Sequence, residues 1–240
     1  MDFKKLFRIY IKNQEHSSLA IGNIITLDYE IKHYVQNVIK IKNEGLIKVF
    51  NQVHGEFLAQ VIHEKKSTHL IIKRFIRLGE NHKHLHLGLC LIQNNKMSQV
   101  IDQAVQLGVT HIHPIISDKT KVHNFNVSRY EKIIIEATEQ SDRMDLAQIS
   151  LIGNLKTFLD NKFELVIFAD ISQDKNTVLN IETFPQNLAC IVGPEGGFSQ
   201  QEQDYINSFD NVFSVSLGKN TLRAETATIT LISQISLLRK

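Results

Sequence analysis

The chain of 240 residues has no tryptophan, three prolines, two cysteines and no long apolar run. Each shortage excludes something. Three prolines and eleven glycines are too few for a collagen-like or proline-rich disordered chain. A composition of 42% hydrophobic and 22% charged side chains is that of a globular protein, long enough for one large domain or two modest ones. Cys90 and Cys190 stand far apart, each between apolar neighbours (Leu89 and Leu91; Ala189 and Ile191), and so read as buried thiols in a reducing compartment, not as a disulfide. No stretch approaches the ~20 apolar residues of a membrane span. The opening Met1-Asp2-Phe3-Lys4-Lys5 leads into alternation and not into a signal-peptide core, so the expected location is the cytoplasm. A strong excess of one charge is missing too. Lys and Arg number 27 against 25 Asp and Glu, a net +2 with eleven neutral histidines, which excludes an indiscriminate nucleic-acid coat.

That total hides a split. Residues 1–75 carry 12 basic and 7 acidic side chains, a balance of +5, whereas residues 76–240 carry 15 and 18, a balance of −3. The basic part reads as short β-branched strands at 6–11, 24–27, 46–50, 57–62 and 69–76, separated by turn material. One helix, 29–42, is indicated by Ile31, Tyr34, Val35 and Val38 at helical spacing. Many short strands with one helix suggest a small β-barrel over residues 1–77, of a kind that presents a basic face to RNA. A polar linker follows at 78–83.

From Leu85 the rhythm changes. Apolar runs at 85–92, 109–116, 165–169, 188–192 and 212–217 alternate with helical stretches at 97–107, 130–140, 200–207 and 224–238. Near-continuous apolar strands between helices predict a mostly parallel sheet covered on both faces, an α/β domain over residues 78–240. In such sheets a ligand sits at the carboxyl ends of the strands.

The last two strands run into glycine-bearing turns. After Ile191-Val192 comes Gly193-Pro194-Glu195-Gly196-Gly197-Phe198, and Ser199 to Glu202 has the spacing of a helix capping box. Glycines there let backbone N–H groups approach a ligand closely, although a plain tight connection has the same look. The second turn, Leu217-Gly218-Lys219-Asn220-Thr221-Leu222, leads into Arg223 and Glu225 at the mouth of the last helix. The pair reads either as site chemistry or as ordinary helix-end charge. Two nucleotide signatures are absent: no G-x-G-x-x-G occurs here, and Gly218-Lys219 is followed by Asn220 instead of Ser or Thr.

These residues carry a resemblance. Gly193 to Ser199 with Glu202, then Leu217-Gly218 and Leu222-Arg223 with Glu225-Thr226-Ala227, resemble the two C-terminal motifs of the bacterial 16S ribosomal RNA uridine-N3 methyltransferases, the RsmE family of the SPOUT class. The likeness continues in Arg8-Ile9-Tyr10, His33 to Lys40, Lys96-Met97, Leu107-Gly108-Val109, and Glu139-Gln140-Ser141 with Arg143. It implies a PUA-like β-barrel that binds RNA, followed by a SPOUT methyltransferase domain with a C-terminal trefoil knot holding S-adenosyl-L-methionine. It further implies a homodimer acting on 16S ribosomal RNA of the small ribosomal subunit. The cofactor contacts implied are Gly193, Pro194, Glu195, Gly196, Gly197, Leu217, Gly218 and Leu222, with a third loop after strand 165–169. Arg223 and Glu225 are the candidate catalytic residues, with the general base left unassigned between the nearby carboxylates Glu225 and Glu195, and Arg8, Tyr10, Lys40 and Arg143 are the RNA contacts. The sequence departs from the family pattern at Ile39-Lys40, Gln106, Lys119 and Thr221, and a lysine where arginine is usual keeps charge but loses bidentate contact. Rival readings are another acceptor, such as a ribose 2′-hydroxyl, or a non-catalytic RNA-binding or ribosome-assembly protein.

Chemistry agrees with the resemblance. Uridine N3 holds its proton well above neutrality, so methylation needs proton loss and placement of the nitrogen in line with the methyl. A guanidinium such as Arg223 suits the developing uridinate oxygens. His82, His84 and His86, echoed by His111 and His113, alternate along strands but lack a carboxylate or cysteine at ligand spacing, so no metal is expected. Lys65, Lys66, Lys73, Arg74 and Arg77 form a basic group suited to phosphate.

Overall fold

The computed structural model describes residues 6–12, 18–79, 83–171 and 176–239, so His82 and part of the expected linker lie outside the described residues. The chain divides into two units, Met1–Asn81 with Thr138–Leu146, and His82–Ala137 with Ala147–Lys240.

The first unit is a five-stranded sheet in the order β1-β3-β4-β5-β2, from β1 (Arg8–Tyr10), β2 (Ile24–Thr26), β3 (Leu46–Asn51), β4 (Gly55–His63) and β5 (Thr68–Arg77). β1 pairs parallel with β3, and the other pairs are antiparallel. Ile9, Ile47, Val49, Ala59, Val61, Leu70 and Ile72 form its core with Val35. Two register shifts in the β4–β5 ladder, between Glu56 and Phe57 and between Leu58 and Ala59, disturb the in–out alternation of β5. Lys73, Arg74 and Phe75 consequently all come out to solvent.

The helix expected over 29–42 is shorter and tighter-bent. α1 (Tyr29–His33), capped by Asp28, continues as a π-helical turn, Tyr34–Val38, and Lys40 then takes a left-handed φ of 52°. Val35 is the fully buried residue of these two turns, and Ile31 and Tyr34 pack partly buried against the same core.

The second unit carries a sheet in the order β12-β10-β11-β6-β7-β8, with β9 also on β7. Its strands are β6 (His84–Cys90), β7 (His111–Ile116), β8 (Gln148–Ile149), β9 (Gly153–Asn154), β10 (Leu165–Ala169), β11 (Asn187–Val192) and β12 (Val212–Val215). The pairs are parallel, as the apolar runs between helices predict. Its helices are α2 (Asn94–Gln106), α3 (Val127–Gln140), α4 (Leu155–Leu159), α5 (Gln200–Asn207) and α6 (Ala224–Leu238). Met97, Val100, Ile101, Ala104 and Val105 give α2 one buried face at 3–4-residue spacing. β8, β9 and α4, two to five residues each, are too short to leave a periodic signal.

Candidate functional site

The register of the sheet sets the site. Ala169 of β10 lies opposite Val192 of β11 and Val215 of β12, so three parallel strands end at one level. The three connections that follow begin side by side and enclose a cavity of about 390 Å³. The connection after β10 contributes Asp170 and Ile171. That after β11 contributes Gly193, Pro194, Glu195, Gly197 and Phe198, and that after β12 contributes residues 216–222. Ala224 and Ala227 of α6 complete the wall.

Backbone demands explain two of the glycines. A Cβ on Gly193 would stand 3.1 Å from the Phe198 ring, and Gly218 holds φ at +127°, where other residues are strained. The capping box is formed: Glu202 N–H donates to Ser199 Oγ at 3.3 Å and Ser199 N–H to Glu202 Oε2 at 2.8 Å. Residues 118 and 119 brace this turn from the end of β7. Ser199 Oγ donates to Asp118 Oδ2 at 2.6 Å, and Lys119 Nζ donates to the Phe198 carbonyl at 3.2 Å.

Seven of the eight expected cofactor contacts line the cavity; Gly196 does not, and packs against the stem of Lys119. Arg223 is the N-cap of α6 and exposed; its carbonyl accepts the Ala227 N–H at 2.8 Å, while its guanidinium makes no hydrogen bond or ion pair with the described residues. Glu225, in the first turn of α6, receives Lys96 Nζ on Oε1 at 3.1 Å, while its Oε2 is closed to solvent and meets no other side chain at hydrogen-bond distance among the described residues. Burial pushes the Glu225 carboxyl up, but its own main-chain N–H, Lys96 and Arg223 outweigh that and hold it below the usual range. Lys96 also meets Glu195 Oε1 at 3.1 Å. The sequence reading assigned no role to Lys96, Asp118 or Phe198. The one available signal was the place of Lys96 in the Lys96-Met97 pair, since contacts across 99 and 129 residues leave no spacing to read.

The expected RNA contacts fare differently. Arg8 is not an exposed phosphate contact. Its side chain is 6% exposed, lies 4.1 Å over the Phe50 ring, pairs with Glu56, and donates to the carbonyls of Thr138, Glu139 and Arg143. Arg143 is likewise turned inward, 10% exposed and paired with Asp145. Tyr10 is half-buried, edge-on to Phe50, and burial raises its hydroxyl pKa. Lys40 is exposed.

The histidines of β6 and β7 assemble into a row: His86 stacks on His111 with centroids 4.2 Å apart, and His86 Nδ1 lies 3.0 Å from His113 Nε2. Among the described residues no three His, Cys, Asp or Glu side chains are arranged to hold a metal ion.

The fold agrees with known proteins. The RNA methyltransferase domain family is matched over residues 79–236. The ribosomal RNA small subunit methyltransferase E of Rickettsia conorii is 36% identical over 98% of this chain and 96% of its own. The chain belongs to this methyltransferase family. The Buchnera aphidicola (Schizaphis graminum) enzyme of the same name is 27% identical over 98% of this chain and 97% of its own. Among solved structures, a Legionella pneumophila methyltransferase with bound SAM has a TM-score of 0.88, and the Neisseria gonorrhoeae ribosomal RNA small subunit methyltransferase E, bound to S-adenosyl methionine, 0.86. Each is 25% identical and covers 98% of both chains.

Proposed function

We propose that this protein methylates the N3 of a specific uridine in 16S ribosomal RNA, using S-adenosyl-L-methionine. The observation that carries the reading is the cavity at the common end of β10, β11 and β12, with Glu225 and Arg223 at the start of the helix that walls it. Its volume is within the range of small-molecule sites. The residues present fit the cofactor: Phe168, Ile171, Val192 and Leu222 offer apolar wall to a purine, and Asp170 and Glu195 put carboxylates beside a ligand with cationic centres. Gly193 lets the Phe198 ring close the wall at a distance that a Cβ would crowd.

S-adenosyl-L-methionine supplies an electrophilic methyl on a sulfonium centre. The chain's own residues prepare the nucleophile. Glu225, held ionised, accepts the N3–H hydrogen bond. A carboxylate kept below its usual range is a steady acceptor and a poor proton store, so the N3 proton passes on to solvent. Arg223 stabilises the negative charge that develops on the uracil oxygens as the proton leaves.

In this reading the connections around the cavity form the trefoil knot of the SPOUT class, and the first unit is a PUA-like barrel that docks RNA. The face meeting phosphate comprises Lys40 with the exposed Lys65, Lys66, Lys73 and Arg74, in place of the inward Arg8 and Arg143. The enzyme works in the cytoplasm as a homodimer. Residues 226–238 of α6 hold no charged side chain and Leu237 is 73% exposed, which suits contact with a second copy.

The test is transfer of a tritiated methyl to small subunits lacking the mark, with nucleoside mass spectrometry of the product. 3-Methyluridine is expected. A 2′-O-methyl product transfers the protein to another acceptor class, and no product with no cofactor heat in calorimetry makes it a binding protein.

A further inference from the structure

The most informative contact outside the expected site is Lys96. Its ammonium sits 3.1 Å from Glu195 Oε1 and 3.1 Å from Glu225 Oε1, joining the first turn of α2 to the glycine turn after β11 and to the first turn of α6. Exposed ion pairs of this kind usually contribute little. Two facts separate this one. Lys96 and Glu225 are 23% and 19% exposed, and the second oxygen of Glu225 is shut from solvent and meets no other side chain at hydrogen-bond distance among the described residues. An anionic oxygen left in that state is costly, so the ionised form of this carboxylate depends on its own main-chain N–H and on the ion pair with Lys96. With Oε1 tied to Lys96, the carboxylate cannot turn to exchange its two oxygens without breaking an ion pair.

We propose that Lys96 is a positioning residue for methyl transfer: by clamping Glu225 through Oε1 and Glu195 through Oε1, it holds the Glu225 carboxylate ionised and in one orientation at the start of α6, where it accepts the N3–H of the target base. This rests on the uridine-N3 reading. The charges facing Glu225 are Lys96 from α2 and Arg223 from the start of α6, with Glu195 from the glycine turn sharing the same ammonium. Lys96 itself is held protonated above its usual range, first by its hydrogen bond to Glu225 and then by that to Glu195. Without Lys96, burial is the larger remaining influence on Glu225, and its carboxyl moves up.

The experiment uses the full chain as wild type, Lys96→Met and Lys96→Arg, with the carboxyl carbon of Glu225 followed by NMR titration and assigned by Glu225→Gln. The expected result is an upward shift of the Glu225 midpoint by about one unit or more in Lys96→Met, and much less in Lys96→Arg. Turnover on small subunits falls about tenfold in Lys96→Met, a deficit that widens as pH is lowered from 8.5 to 5.5, with the cofactor KM unchanged and most turnover restored in Lys96→Arg. An unmoved Glu225 midpoint in a variant that melts like wild type overturns the proposal. So does a deficit equal at every pH, or a loss confined to cofactor affinity. The titration needs no RNA. Methylation by the wild type at an atom other than N3 therefore overturns the underlying reading separately from any failure of the clamp.

Discussion

The charged cluster of the first unit and that of the second use the same residue types and end in opposite states. In the first, Glu56 accepts Arg8 Nε at 2.6 Å on one oxygen and Arg77 Nε at 3.0 Å on the other, and Asp142 pairs with both arginines. Arg8 spends its remaining N–H groups on main-chain carbonyls at and beyond the end of α3, satisfying a helix terminus. In the second cluster one oxygen of Glu225 meets no other side chain at hydrogen-bond distance among the described residues, and Arg223 stands exposed. The difference separates structure from chemistry. A saturated network holds the strap Thr138–Leu146 on the sheet, whereas an unsaturated one has capacity left for a ligand.

The largest effect that breaks this comparison is on stability. Arg8→Ala leaves Glu56, 2% exposed, without its closest cation, and is expected to cost about 3–5 kcal/mol in urea unfolding. Replacing both partners, as Arg8→Met with Glu56→Leu, restores the part that arises from the stranded charge, while the carbonyls of Thr138, Glu139 and Arg143 still lose their donor. A loss below about 1 kcal/mol for Arg8→Ala would remove the network from the structural side. The opposite signature belongs to Arg223. Arg223→Ala leaves unfolding unchanged to about 0.5 kcal/mol, because its guanidinium pairs with none of the described residues. Its turnover falls about 10²–10³-fold with calorimetric affinity for S-adenosyl-L-methionine unchanged. Equal losses in turnover and affinity would make Arg223 a binding residue.

Arg8 also marks where reading the sequence stops. The alternation that places Arg8 and Tyr10 on one face of a strand is correct, but alternation does not say whether that face looks at water or at another segment. Here it looks at Phe50 and at carbonyls some 130 residues on, a contact with no local signature. The parallel sheet was legible because buried strands between helices have a period of their own, and the glycine turns because a missing Cβ is written in the residue type. What was not legible is register. The common level of Ala169, Val192 and Val215, which makes three turns into one cavity, follows from strand pairing alone. The outward run of Lys73, Arg74 and Phe75 likewise depends on bulges that sequence period cannot locate.

The histidine row sharpens the comparison with the smallest effect. It is a third cluster of ionisable groups, and it is closed by remaining neutral. Burial, and then the neighbouring His111, His113 and His84, bring the His86 pKa down to about 3; burial, and then His111, bring that of His113 to about 4. In the unfolded chain both titrate near 6.5. Above 6.5 neither state binds the protons and the full contribution of the row is present. As pH falls below 6.5 the unfolded chain takes up protons that the folded chain refuses, and stability declines until the folded pKa values are passed. Ordinary carboxylates protonate mainly below about pH 5. The window from about pH 6.5 to pH 5 thus isolates the histidines. The melting temperature of the wild type is expected to fall through that window, and that of His86→Phe with His113→Phe to fall less, since two proton acceptors have gone from the unfolded chain. Equal slopes in the two proteins would mean that the row is no such closed cluster and that its rings are free to protonate where they stand.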